Sequence, residues 1–165
     1  MLKAINQLKE TLIHEDQMYG EILNLEQQKT DVIKNRKLSE LEDMTKREQQ
    51  YIMRMGTFER IRRSVFTNTA EMLGIEKLDS LSDFLLYLED DQLIEEIDEL
   101  RNNILEKTQQ IKEVNELNEK LLEQHLDYIH FNIEVMTNHI QDHNNYGQKA
   151  QGKDKTKTNL FDARI

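Results

Sequence analysis

The chain has no cysteine, no proline and no tryptophan, and only five glycines in 165 residues. Without cysteine there are no disulfides, no thiolate nucleophile and no zinc site built on sulfur. Without proline, and with so little glycine, the usual turn makers of β-rich folds are missing. No apolar run approaches the roughly 18 residues that span a bilayer. Residues 1–10 lack a basic stretch followed by an apolar one, so neither a secretory signal nor stable membrane insertion is expected, and the default compartment is the cytoplasm. Positive charge is also scarce: 22 Lys and Arg stand against 32 Asp and Glu, a net charge of −10. That balance argues against a nucleic-acid-binding surface. No Walker, dinucleotide or nucleophile-elbow motif is present, so neither an enzyme nor a cofactor is expected.

What remains is a composition suited to long helices: 33% charged, 37% hydrophobic and rich in Glu, Lys, Leu and Gln. The apolar residues Leu2, Ile5, Leu8, Leu12, Tyr19, Ile22, Leu25 and Ile33 follow gaps that mark one helical stripe. Glu15, Glu26 and Lys29 fall on or beside that seam. A break follows at Asn35-Arg36-Lys37. Ser39 with Glu42 then reads as a capping box opening a second helix over about residues 40–73, with Gly74 as its C-terminal cap. Leu78, Leu81, Leu85 and Leu88 form a short helix between Asp79-Ser80 and Asp90-Asp91. A third long helix starts there, capped by Asp90 or Asp91. Its seam is Leu93, Ile97, Leu100, Ile104, Lys107, Ile111, Val114, Asn118, Leu121, His125, Tyr128, Asn132, Val135 and His139, each gap three or four. At 1.5 Å per residue such a helix is about 75 Å long, and its spacing favours coiled-coil-like packing. The expected fold is all-α: an elongated antiparallel helical bundle of three long helices plus a short connecting helix. Residues 1–147 would form the helical domain and 148–165 a disordered polar tail.

Charge is uneven along the chain. Residues 46–63 carry +4 and residues 89–123 carry −8, so the second and third helices are expected to lie alongside each other with complementary flanks. The tail carries +3 and keeps two apolar residues, Leu160 and Phe161. Arg60, Arg62 and Arg63 could touch phosphate, but Glu48, Glu59 and Glu71 nearby favour a solvated or helix-pairing face. Glu15, Glu26 and Glu48 with Lys29 and Arg62 could be an acid–base constellation; interhelical ion pairs that fix register suit a bundle better. His139 and His143 stand i, i+4 on one helix, a spacing that fits a metal. With no HExxH, no cysteine and no second cluster, no metal site is expected.

The most informative feature is the third helix's late apolar stripe. Leu117, Leu122, Ile129, Ile133, Met136 and Ile140 widen it beyond what one partner helix covers. If the first two helices form a hairpin, residues 121–136 are left to a partner, and an amphipathic helix offered to another helix is a standard recognition mode. Tyr128 and Met136 suit such a surface. A homodimeric structural coiled coil, with the same stripe buried between two copies, is the alternative reading.

At this point the residues resemble the FlgN family of flagellar export chaperones, from residue 1 up to Gly147. The resemblance runs through Leu8, Leu12, Glu15, Leu25 and Lys29, then Leu38, Leu41 and Glu48, then Phe58-Glu59-Arg60 and Arg62. It is most specific at Asn115-Glu116-Leu117-Asn118-Glu119-Lys120-Leu121-Leu122, an Asn-x-x-Asn-x-x-Leu-Leu stretch, followed by Tyr146-Gly147. The resemblance implies a cytoplasmic chaperone of the flagellar type III export system that binds hook–filament junction proteins before export and hands them over at the export gate. It implies a cargo-binding role for Asn115, Leu117, Asn118, Leu121 and Leu122 and for the apolar face beyond them, Tyr128, Ile129, Ile133 and Met136. Tyr146 matches the tyrosine such chaperones use for export-gate docking. Self-association of the free protein is compatible with this reading.

Overall fold

A computed structural model of the chain describes the backbone of residues 2–147 and the side chains of residues 3–137. Four helices follow one another: α1 (Leu2–Lys34), α2 (Leu38–Leu73), α3 (Leu81–Leu85) and α4 (Asp91–Gly147). The expected three long helices and one short connector are therefore present. Among the described residues no helix is long and apolar enough to cross a membrane. The chain divides into two compact units, one ending at Leu122 and the other beginning at Glu123.

Local signals set the breaks. Arg36 takes a left-handed backbone (φ 56°) in the turn after α1. Gly74 ends α2 in the same region (φ 67°), its N–H donating to the carbonyls of α2's last turn; a residue without Cβ adopts that conformation at least cost. Asp90 caps α4, its Oδ1 accepting from the amides of Gln92 and Leu93 at 3.1 and 3.2 Å. The capping box expected at Ser39 is not formed: α2 starts at Leu38, with Lys37 as its N-cap and no side-chain cap. The reciprocal pair stands instead at α3, between Ser80 and Asp83 (3.0 and 3.1 Å). The physical reason is position, since Ser39 already lies inside the first turn, where its hydroxyl cannot serve the amides two and three residues on.

In the first unit, polar pairs give the direction of each helix. Lys29–Glu48, Glu21–Arg54 and Glu15–Arg62 step in opposite senses along α1 and α2, so these two run antiparallel. Lys9–Glu96, Asp16–Lys107 and Thr30–Asn118 step in the same sense, so α4 runs parallel to α1. The bundle is up–down–up, and α3 lies in the return from α2 to α4.

The apolar core gathers Ile5, Leu8, Leu12, Val65, Ala70, Leu78, Phe84 and Ile97, where the first half of α1 meets the end of α2, α3 and the start of α4. Phe84, only 1% exposed, stacks on Phe66 with ring centroids 5.8 Å apart. Burying a side chain of this size contributes about 1.5–3 kcal/mol. The five-residue α3 therefore serves as the plug of this core. Met18, Ile22, Leu25, Val32 and Ile33 continue the buried face of α1.

The expected charge pairing of α2 with α4 is corrected. Arg54 and Arg62 of α2 pair with Glu21 and Glu15 of α1, while Lys46 and Arg63 pair within α2. On α4, Glu96 pairs with Lys9 of α1. Here α1 is the shared ion-pairing partner of both neighbours. Net charges of long segments say nothing about which flank faces which helix.

Candidate functional site

Two features stand out: a buried polar layer in the first unit and an exposed apolar helix surface in the second.

In the polar layer, α1 contributes Glu26, Lys29 and Thr30, α2 contributes Glu48, and α4 contributes Asn118 (1% exposed). Asn118 Nδ2 donates to the carbonyl of Glu26 at 3.0 Å and to its Oε2 at 3.1 Å. Thr30 Oγ1 donates to Asn118 Oδ1 at 2.7 Å. Lys29 Nζ bonds Glu48 and lies 3.7 Å from Glu26 Oε2. Burial, with the neighbouring Glu48 carboxyl, pushes the Glu26 carboxyl up to about 7, against the opposing pull of Lys29 and Asn118. The hydrogen bonds from Glu26 and Lys29, with the Lys29 charge, hold Glu48 below its ordinary range despite its burial. Proton binding is thus favoured at Glu26 and disfavoured at Glu48, beside one ammonium group. Lower on α1, burial raises the carboxyl of Glu15 and Arg62 draws it back, its Nη2 standing 3.5 Å from Oε1. These are interhelical pairs that lock register.

This geometry relocates one expected site residue. Asn118 is enclosed and its amide is spent on α1, so it belongs to the bundle and is not open to a partner. Asn115 is exposed, Leu117 is 47% exposed, and Leu121 and Leu122 are half-buried.

The offset between paired residues of α1 and α4 is 87 to 92. Because α1 ends at Lys34, that register has no further α1 residue to offer α4 beyond about position 124.

In the second unit the helix exposes Leu126, Tyr128, Ile129, Phe131, Ile133, Val135 and Met136, each between 43% and 67%. Tyr128, Ile129, Ile133 and Met136 were anticipated; Leu126 and Phe131 were not, because they lie off the single seam. Placed at about 100° per residue, the seven form two stripes. Leu126, Ile129, Ile133 and Met136 lie within a sector of about 80°, and Tyr128, Phe131 and Val135 within one of about 60° on the far side. Glu123, Asp127 and Glu134 form an acidic ridge between them on one side, and His125 with Asn132 a thin polar strip on the other. Exposed apolar side chains in this number are the feature on which an interaction surface can be proposed.

The match to known proteins agrees in extent. The family model described as FlgN protein matches residues 1–154. The chain belongs to the FlgN family. No curated protein and no solved structure matches it. FlgN proteins are flagellar export chaperones. Of the FlgN-type features expected from the sequence, Tyr146 falls in the last turn of α4 by its backbone; its side chain, and those of His139 and His143, lie outside the described residues, as does the tail 148–165. Among the described residues no group of three or more His, Cys, Asp or Glu is placed to hold a metal.

Proposed function

We propose that the chain is a cytoplasmic export chaperone that binds hook–filament junction proteins through the exposed surface of α4 and delivers them to the flagellar export apparatus. The observation that carries this reading is the set of seven half-exposed apolar side chains between Leu126 and Met136, on a helix of a family of export chaperones. Covering these side chains adds favourable free energy, from which the costs of association subtract. In the first unit, Asn115, the exposed Leu117 and the half-buried Leu121 and Leu122 add contacts. A cargo held by helix-on-helix packing is retained and still released. Tyr146 serves docking at the export gate.

The test is titration with a purified hook–filament junction protein, with expected affinity in the low micromolar range, about −8 kcal/mol. Replacing Ile129 and Ile133 by Asp should abolish binding while leaving the circular dichroism of the bundle unchanged. Undiminished affinity in that folded double variant overturns the assignment of the surface. Tyr146→Ala should keep cargo binding and lose gate docking; equal loss of both overturns that division. A stable dimer by sedimentation that ignores cargo would instead support the structural coiled coil.

A further inference from the structure

The exposed helix of the second unit has an acidic ridge, and the same chain carries a basic segment with an apolar end. Between Glu123 and Thr137 there are three acids, Glu123, Asp127 and Glu134, and no Lys or Arg. Residues 149–157 hold Lys149, Lys153, Lys155 and Lys157 against Asp154, a net of +3, and are followed by Leu160 and Phe161. The family match ends at residue 154, so residues 155–165 lie outside it.

We propose that residues 159–161 dock in cis on the narrow stripe of α4 at Phe131 and Val135, with the preceding lysines on the Gly147 side of that stripe, toward Glu134. Three considerations carry this. The first is reach: Phe131 lies about 24 Å back along the helix from Gly147, at 1.5 Å per residue. The twelve residues 148–159 span up to about 40 Å when extended, so Leu160 and Phe161 reach the stripe with slack to spare. The second is charge: the segment is basic and the helix surface it returns to carries acids and no Lys or Arg, which favours their association. The third is size. Two apolar side chains suit the stripe of about 60° and leave the broader aliphatic stripe of Leu126, Ile129, Ile133 and Met136 uncovered, while Phe161 against Phe131 gives an aromatic pair. Tethering places the segment at millimolar effective concentration, so a weak contact is well populated. The consequence for regulation rests on the cargo reading above: the segment would be an occupant that cargo must displace, which prevents the free helix from joining a wrong partner.

The absence of cysteine makes the test clean. A nitroxide attached to Ala163→Cys is the single label in the chain, and the amide signals of residues 126–136 are read by nuclear magnetic resonance at low salt. Signals near Phe131 and Val135 should lose most of their intensity, and should recover in Leu160→Asp with Phe161→Asp and at high salt, where the ridge is screened. No loss, or a loss indifferent to those substitutions, overturns docking. Loss produced only by labelled chains mixed with unlabelled, isotope-enriched ones shows that the segment acts between molecules and overturns docking in cis. With docking seen, deleting residues 155–165 should tighten binding of a hook–filament junction protein about fivefold, the factor expected if the segment covers the stripe about four-fifths of the time. Unchanged affinity overturns the regulatory role. If neither form binds cargo, the proposed function fails while the docking result stands on the resonance data.

Discussion

Replacing Glu26 by Gln should stabilise the protein at alkaline pH and flatten the dependence of its stability on pH. Glu26 is 5% exposed, and its carboxyl is pushed from 4.5 up to about 7 by burial and by the neighbouring Glu48. The folded chain therefore holds this proton more tightly than the unfolded chain does. Between about pH 4.5 and 7 the native state binds more protons, so stability falls as pH rises through that window, and the loss is complete above it. A shift from 4.5 to about 7 corresponds to about 3 kcal/mol at 1.36 kcal/mol per unit. Glu48 acts in the opposite sense: its lowered carboxyl adds stability above the unfolded value of 4.5, lost as pH falls below it. The expected net gain of the variant at pH 8 is thus about 1–3 kcal/mol, vanishing toward pH 5, where Glu26 is already neutral.

Glutamine is close to isosteric with the protonated acid. Its carbonyl can accept from Asn118 Nδ2, as Glu26 Oε2 does at 3.1 Å, and its amide has the neighbouring Glu48 carboxylate as an acceptor. The assay is urea denaturation followed by circular dichroism at four pH values between 5 and 8, for both proteins. Comparing the two cancels the titrating groups that do not touch Glu26, and leaves the Glu26–Glu48 pair. Parallel pH profiles, or a variant less stable than the parent at pH 8, would refute the reasoning, because either result means that Glu26 is ionised without penalty in the fold.

Three further outcomes follow from the same bundle. Asn118→Ala removes both bonds to Glu26 and the acceptor of Thr30, and should cost about 2–4 kcal/mol by urea denaturation, with the loss concentrated in the first unit. Phe84→Ala removes the plug that stacks on Phe66 and should cost about 3–5 kcal/mol, measured the same way; a cost under about 1 kcal/mol would show that α3 is not part of the core. Ser80→Ala abolishes the reciprocal cap with Asp83 and should cost about 1 kcal/mol, while Ser39→Ala, at a position without a side-chain cap bond, should be nearly neutral.

The helices and their breaks were legible because their causes are local. The left-handed Gly74 and the Asp90 cap each follow from the conformational or capping preference of one residue, while the turn at Asn35-Arg36-Lys37 was marked by the break in the apolar pattern and holds Arg36 at a positive φ that its side chain does not favour. The polar residues on the first seam were legible as well. A buried Glu15, Glu26 or Lys29 needs a partner, and a bundle supplies one across a helix interface. Asn118 shows where that inference stops. Its position on the seam is plain, yet a seam asparagine can face a neighbouring helix or a missing one. The choice depends on how far α1 reaches along α4, which no local pattern encodes.

That reach is also what turns part of α4 into a candidate binding surface. With 33 residues in α1 and 57 in α4, the register cannot pair them throughout. The hydrophobic pattern of α4 continues regardless of whether a neighbour is present, so periodicity alone assigns Ile111 and Ile129 the same role. Exposure separates them: Ile111 is half-buried in the first unit, Ile129 is 51% exposed in the second. The second apolar stripe, with Phe131 opposite Ile129, sharpens the distinction. A helix buried against one neighbour needs only one apolar sector. Two sectors divided by an acidic ridge exceed what one neighbour covers, which is why the proposed binding surface is placed between Leu126 and Met136.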